Sequence, residues 1–163
     1  MDCPLAMETS GHAAFRSNYN LDDGAYLMTQ IIIRMAKMGK DRLFSMLDGL
    51  QVPQEEAEVR FRILEPDFRA AGESFIRAWT AYASAKSGYT AANDNYEGVR
   101  FSTGGFAGDG WILARLSVHD PVIVINAESN RSGGVRQMLE TLYAFVRDDV
   151  SLDISKLTSY LGV

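Results

Sequence analysis

Arg115, Ser117 and His119 occupy alternate positions at the end of an apolar run. That run, Gly110-Trp111-Ile112-Leu113-Ala114-Arg115-Leu116-Ser117-Val118-His119, gives way to Asp120-Pro121 before a second one, Val122-Ile123-Val124-Ile125. Side chains two residues apart on a strand share a face, so a guanidinium fork, a short hydroxyl and an imidazole would point the same way. Such a set suits phosphate, whose oxygens accept several hydrogen bonds at once and match the planar arginine fork. Proline removes one amide donor and restricts the residue before it, so strand pairing stops here and the turn amides are left to face an anion. The same segment also fits the wet side of a half-buried strand, where Arg and Ser simply alternate with Leu and Val. Taken alone it supports both readings.

A second polar segment lies near the N-terminus: Glu8-Thr9-Ser10-Gly11-His12-Ala13-Ala14-Phe15-Arg16, followed by Asp22-Asp23-Gly24 at the opening of a helix. By residue type alone it is a solvated turn. Together, the two segments resemble the phosphohexomutases, the phosphoglucomutase and phosphomannomutase family. In that family a sugar-selecting loop reads G-E-x-S-G-H with D-D-G downstream. A later phosphate loop reads R-x-S-[NG]-T-E-P after a Gly-Trp strand, and both segments stand here in the family's order. Glu8, Ser10, His12, Arg115, Ser117 and Pro121 match. The chain departs at Met7, where glycine is expected, at Val118 and His119, in place of Asn/Gly and Thr, and at Asp120, in place of Glu.

The resemblance extends over nearly the whole chain but only over the last part of such an enzyme. It implies a hexose phosphate as ligand, with a phosphoryl group moved between C1 and C6 through a bisphosphorylated intermediate. Glu8 and Ser10 would exchange hydrogen bonds with sugar hydroxyls, and His12 would sit near the transferring phosphate as a candidate for proton transfer or orientation. Arg115 and Ser117, with Val118 and His119 beside them, would grip the phosphate that does not react. The family's phosphoserine loop, of Thr-Ala-Ser-His-Asn type, and its metal loop, Asp-Gly-Asp-Gly-Asp-Arg, are absent from the sequence. No catalysis by this chain alone and no cofactor bound by it are therefore expected. Mg2+ belongs to the complete enzyme, and that enzyme's N-terminal domains would be partners. Gly108-Asp109-Gly110 is the nearest approach to the metal loop, yet it offers one carboxylate, too few for an octahedral magnesium site, and reads better as a turn between strands.

The elements that must position these residues fall into two parts, 1–50 and 51–163. In the first, Asp22 is the expected N-cap of a helix over 23–38, whose Leu27, Ile31, Ile32, Met35 and Met38 recur at helical spacing. A second helix is expected over 41–50. No strands are encoded for these helices to cover. They read as the helical remnant of an α/β domain, which would pack on the C-terminal domain, self-associate through its exposed helices or be loosely held. Residues 51–56 are polar with a proline and read as a linker.

Beyond it come a strand with one wet face over 59–63, a helix over 66–86, a polar loop over 89–95, three strands over 98–103, 111–118 and 122–129, a helix over 133–148 and a last helix over 154–161. That order makes an α+β fold, a two-layer arrangement of an antiparallel sheet with helices on one face. In the resembling family this C-terminal domain has the TATA-binding-protein-like fold. Ser132-Gly133-Gly134 is a second anion candidate before a helix, the alternative being a plain helix start capped by Ser132.

Composition sets the outer bounds. The 163 residues, 47% of them hydrophobic, suffice to fill a core. A formal charge of −5 speaks against broad nucleic-acid binding. The lone Cys3 excludes an internal disulfide and suggests a reducing compartment, hence a cytoplasmic expectation. No secretory signal is visible, and Ile31-Ile32-Ile33 is far too short to cross a membrane.

Overall fold

The computed structural model describes residues 3–8, 11–96, 98–105 and 109–163. The chain divides into two compact units, Met1–Gln51 and Val52–Val163. Among the described residues no helix is long and apolar enough to cross a membrane.

The first unit opens with an antiparallel hairpin of β1 (Leu5–Met7) and β2 (Ala13–Phe15), with Leu5 opposite Phe15 and Met7 opposite Ala13. β1 is three exposed residues long, too short to show an alternating pattern. A single 3-10 turn, Arg16–Asn18, leads to Tyr19 and Asn20, both at φ 57, which reverse the chain. Helix α1 (Gly24–Met38) is capped by Asp23, not Asp22: the Asp23 carboxylate accepts from the Tyr26 amide at 3.0 Å. That bond, supported by the Asn18 side-chain amide at 3.2 Å, holds the Asp23 carboxyl below the usual range. Gly39, at φ 83, ends α1, and α2 (Lys40–Ser45) is shorter than its apolar pattern suggested, because the chain unwinds into turns from Met46. No side chain of α1 is buried, and Met28, Ile31, Ile32 and Ile33 are 40–55% exposed.

The second unit is α+β. Its six strands are β3 (Glu55–Ile63), β4 (Tyr89–Ala91), β5 (Val99–Thr103), β6 (Gly110–Leu116), β7 (Val122–Ser129) and β8 (Leu152–Asp153). They form one antiparallel sheet in the order β4-β5-β6-β7-β3-β8. Helices α3 (Phe68–Ser84), α4 (Gly134–Val146) and α5 (Ser155–Leu161) lie on one side of it. Alternation decides which strand residues meet them: Phe61, Phe101, Ile112, Ala114, Ile123 and Ile125 are fully buried, while their sequence neighbours form the opposite face. Trp79 of α3 is the hub, 0% exposed, with the rings of Tyr89, Phe101 and Phe145 at 5.5–6.4 Å. Aromatic pairs at such distances add to the area term that dominates a core.

Two expectations change. The segment over 89–95 is not all loop, since Tyr89 is pulled into the core and its neighbours pair with β5 as an edge strand. The linker ends earlier than its polarity implied: β3 begins at Glu55, which pairs with Ser129.

Candidate functional site

β6 and β7 meet at a turn over residues 117–121, where Asp120-Pro121 interrupts the pairing. The Ser117 amide donates to the Val122 carbonyl at 2.8 Å and closes the turn, and Pro121 keeps its carbonyl for the Ile63 amide, also at 2.8 Å. The Ser117 hydroxyl oxygen accepts from the Asp120 amide at 3.3 Å, so its own proton stays available for donation. Among the described residues the amides of Val118 and His119 have no hydrogen-bond partner.

Helix α3 abuts this turn because Gly72 lets it approach β6; a Cβ there would run into the Leu116 side chain, Cδ2 at 2.9 Å. One turn earlier, Arg69 Nη2 donates to the Val118 carbonyl at 3.0 Å. Between helix and turn opens a cleft of about 410 Å3, lined on the helix by Arg69, Glu73, Ile76 and Arg77 and on the turn side by Leu116, Ser117 and Val118. Tyr96 and Gly98 close it from the segment before β5. Gly98, at φ 136, lies so close to β6 that a Cβ would clash with the Ala114 carbonyl oxygen and with Arg115 Cα.

Arg115 and His119 do not line the cleft. His119 and Val118 are exposed on the turn. Arg115 is half-buried on the sheet face away from the helices, in one row with Val124 and Arg60. Among the described residues it has no hydrogen bond or ion pair, but its charge helps to lower the Glu58 carboxyl. The larger cause there is the hydrogen bond from Arg60 Nε at 2.7 Å, and Asn126 adds another at 3.1 Å. Val124, between the two arginines, is only 3% exposed, so the arginine stems also serve as cover on this open face. Ser117 and Val118 are thus brought together at the cleft, and Arg115 stands behind them on the other face.

In the first unit the hairpin loop carries the other candidates. Its ends are fixed by the Glu8 amide on the His12 carbonyl at 2.9 Å and the Gly11 amide on the Glu8 carbonyl at 3.0 Å. Ser10 lies outside the described residues. His12 Nδ1 meets Asp22 Oδ2 at 2.7 Å, and Asp22 Oδ1 accepts from the Ala13 amide at 3.2 Å. The carboxylate thereby orients the imidazole. His12, Asp22, Gly11 and Gly24 line a shallow cleft of about 400 Å3. Sequence reasoning missed this role of Asp22. The available signal was the doubled Asp22-Asp23, of which a helix start needs only one.

The second anion candidate is filled from within. The Glu55 carboxylate accepts from the Gly133 amide at 2.6 Å and the Val135 amide at 3.2 Å, covering the N-terminus of α4. The helix start is also not capped by Ser132, since Gly133 is the N-cap and no side chain at that position bonds it. Gly108 lies outside the described residues, and Asp109 is exposed at φ 28. Among the described residues no three His, Cys, Asp or Glu side chains gather in a way that could hold a metal ion.

No protein-family model matches the chain, and no curated protein matches it in sequence. Among solved structures it is similar to a phosphoglucomutase/phosphomannomutase family protein from Burkholderia thailandensis, with a TM-score of 0.64 and 21% identity. The match covers 92% of this chain and 30% of that one, so the chain spans under a third of the similar protein's length. At this identity the likeness shows the fold alone, here a mixed α/β architecture with an antiparallel six-stranded sheet.

Proposed function

We propose that the chain is the C-terminal portion of a phosphohexomutase and that its second unit holds the non-reacting phosphate of a hexose phosphate at the turn over 117–121. The observation that carries this reading is the set of unused donors at that turn: the Ser117 hydroxyl proton and the Val118 and His119 amides, beside an open cleft. Arg115 adds positive charge behind the turn. In the first unit, Glu8 and Ser10 contact sugar hydroxyls, and His12, held by Asp22, orients a phosphate or passes a proton. The contribution of this chain to the reaction is positioning, the entropic part of catalysis. The phosphoserine and Mg2+ belong to the rest of the enzyme, and no step is carried by a metal here.

Charge-assisted hydrogen bonds contribute about 1.5–3 kcal/mol each, and association removes several kcal/mol of rigid-body freedom, which puts affinity on the order of 1 mM. Calorimetric titration of the chain with glucose 1-phosphate and mannose 6-phosphate, with unphosphorylated glucose as control, tests the reading. Binding of the phosphorylated sugars alone is the expected result, weakened about tenfold in Ser117→Ala, equivalent to about 1.4 kcal/mol. Equal responses to glucose and its phosphates would contradict it.

A second reading, a protein-interaction module, rests on one observation: the apolar side chains of α1 that stay exposed.

A further inference from the structure

The geometry points to Arg69 as the second guanidinium of the phosphate site, seating the anion in the cleft on the helix side of the sheet. This rests on the reading of the 117–121 turn as a phosphate grip and adds a residue that no sequence motif marks. Arg69 spends one N–H on the Val118 carbonyl at 3.0 Å. A guanidinium has five donors, and among the described residues the remaining four have no hydrogen-bond partner. The bond fixes the peptide that joins Val118 to His119: its carbonyl faces Arg69 and its amide, on the opposite side of a trans peptide, faces away. Arg69 therefore sets the turn's shape and lines the cleft onto which Ser117 and Val118 open.

The charges around the cleft favour an anion. Arg69 and Arg77 face a single carboxylate, Glu73, which Arg77 already meets at 3.8 Å. Arg69 itself has no acidic partner among the described residues; its other close contact is the Phe68 ring, 5.7 Å from the guanidinium carbon. A tetrahedral phosphate monoester with three terminal oxygens fits such a site: one oxygen toward the Val118 amide, one toward the Ser117 hydroxyl and one toward the Arg69 fork. Ile76, Leu116 and Tyr96 would flank the organic part of the ligand. Arg115, on the other sheet face, adds charge without lining this cleft.

Two-dimensional 1H–15N NMR of the full chain, titrated with inorganic phosphate and then with glucose 1-phosphate, tests the assignment in wild type, Arg69→Ala, Arg69→Lys and Arg115→Ala. Shifts at Gly98, Ser117, Val118 and His119 are expected in wild type. Arg69→Ala should raise the dissociation constant at least fivefold and speed amide exchange at Asp120 while leaving Ile112 and Ile125 protected. Arg69→Lys should restore part of the affinity, because it keeps the charge but loses the planar fork. If Arg69→Ala binds phosphate like wild type while Arg115→Ala does not, with shifts at Arg60 and Val124 instead, the Arg69 assignment is overturned and the phosphate reading survives. If no variant and no wild-type sample responds to phosphate, both fall together.

Discussion

Ser117 orders the turn by accepting from the Asp120 amide, and in the proposed function its hydroxyl proton is the one that donates to the phosphate. Arg115 combines roles in the same way, covering Val124 while biasing Glu58 toward its charged form. The latter can be tested by titrating Glu58 by NMR. Its pKa is depressed in the fold, so the stability it lends is complete above the ordinary glutamate value of 4.5 and is lost as pH falls through the lower folded value. Arg60→Ala should raise that pKa most and Arg115→Ala less; a Glu58 titration indifferent to both would contradict the charge row. The strand end that carries Arg115 and Ser117 was legible in the sequence because strand alternation and a terminating Asp-Pro are local signals. Arg69 and Asp22 were not, since their partners lie 49 and 10 residues away and meet them only through tertiary packing.

At the scale of elements, β3 and α4 are joined by a contact that local pattern hides. Glu55 reads as linker, yet its position continues the inward register of Val59, Phe61 and Ile63, at the end of the strand where α4 begins. A carboxylate there satisfies two amides that would otherwise lack partners and complements the positive end of the helix dipole. Glu55→Ala should destabilise the second unit by about 1–3 kcal/mol, read as a lower urea midpoint with unchanged slope. An unaltered midpoint would mean that water replaces the carboxylate without loss. The strands and helices that carry a buried face were legible from periodicity throughout this unit. Those that failed, β1, β4, β8 and the shortened α2, are short pieces whose existence depends on a neighbour more than on their own residues.

At the scale of the whole molecule, the two units differ in how they bury apolar surface. The second closes a core around Trp79, whereas in the first Ile31 and Ile32 of α1, Phe44 of α2 and Leu47 in the turn after it stay exposed. Large exposed apolar patches mark contact surfaces. The 18.0 kDa chain is therefore expected to self-associate as its concentration rises in sedimentation velocity, and Ile32→Lys to shift it back toward monomer. A monomer at every concentration would remove the interaction reading.

The claim on which the functional account depends is that the turn between β6 and β7 grips phosphate. The direct measurement is the shift of the Val118 and His119 amide resonances as glucose 1-phosphate is added, with glucose as the control. The account predicts saturable movement of both peaks with the phosphate ester and none with glucose. Stationary peaks, or equal movement with glucose, would contradict it.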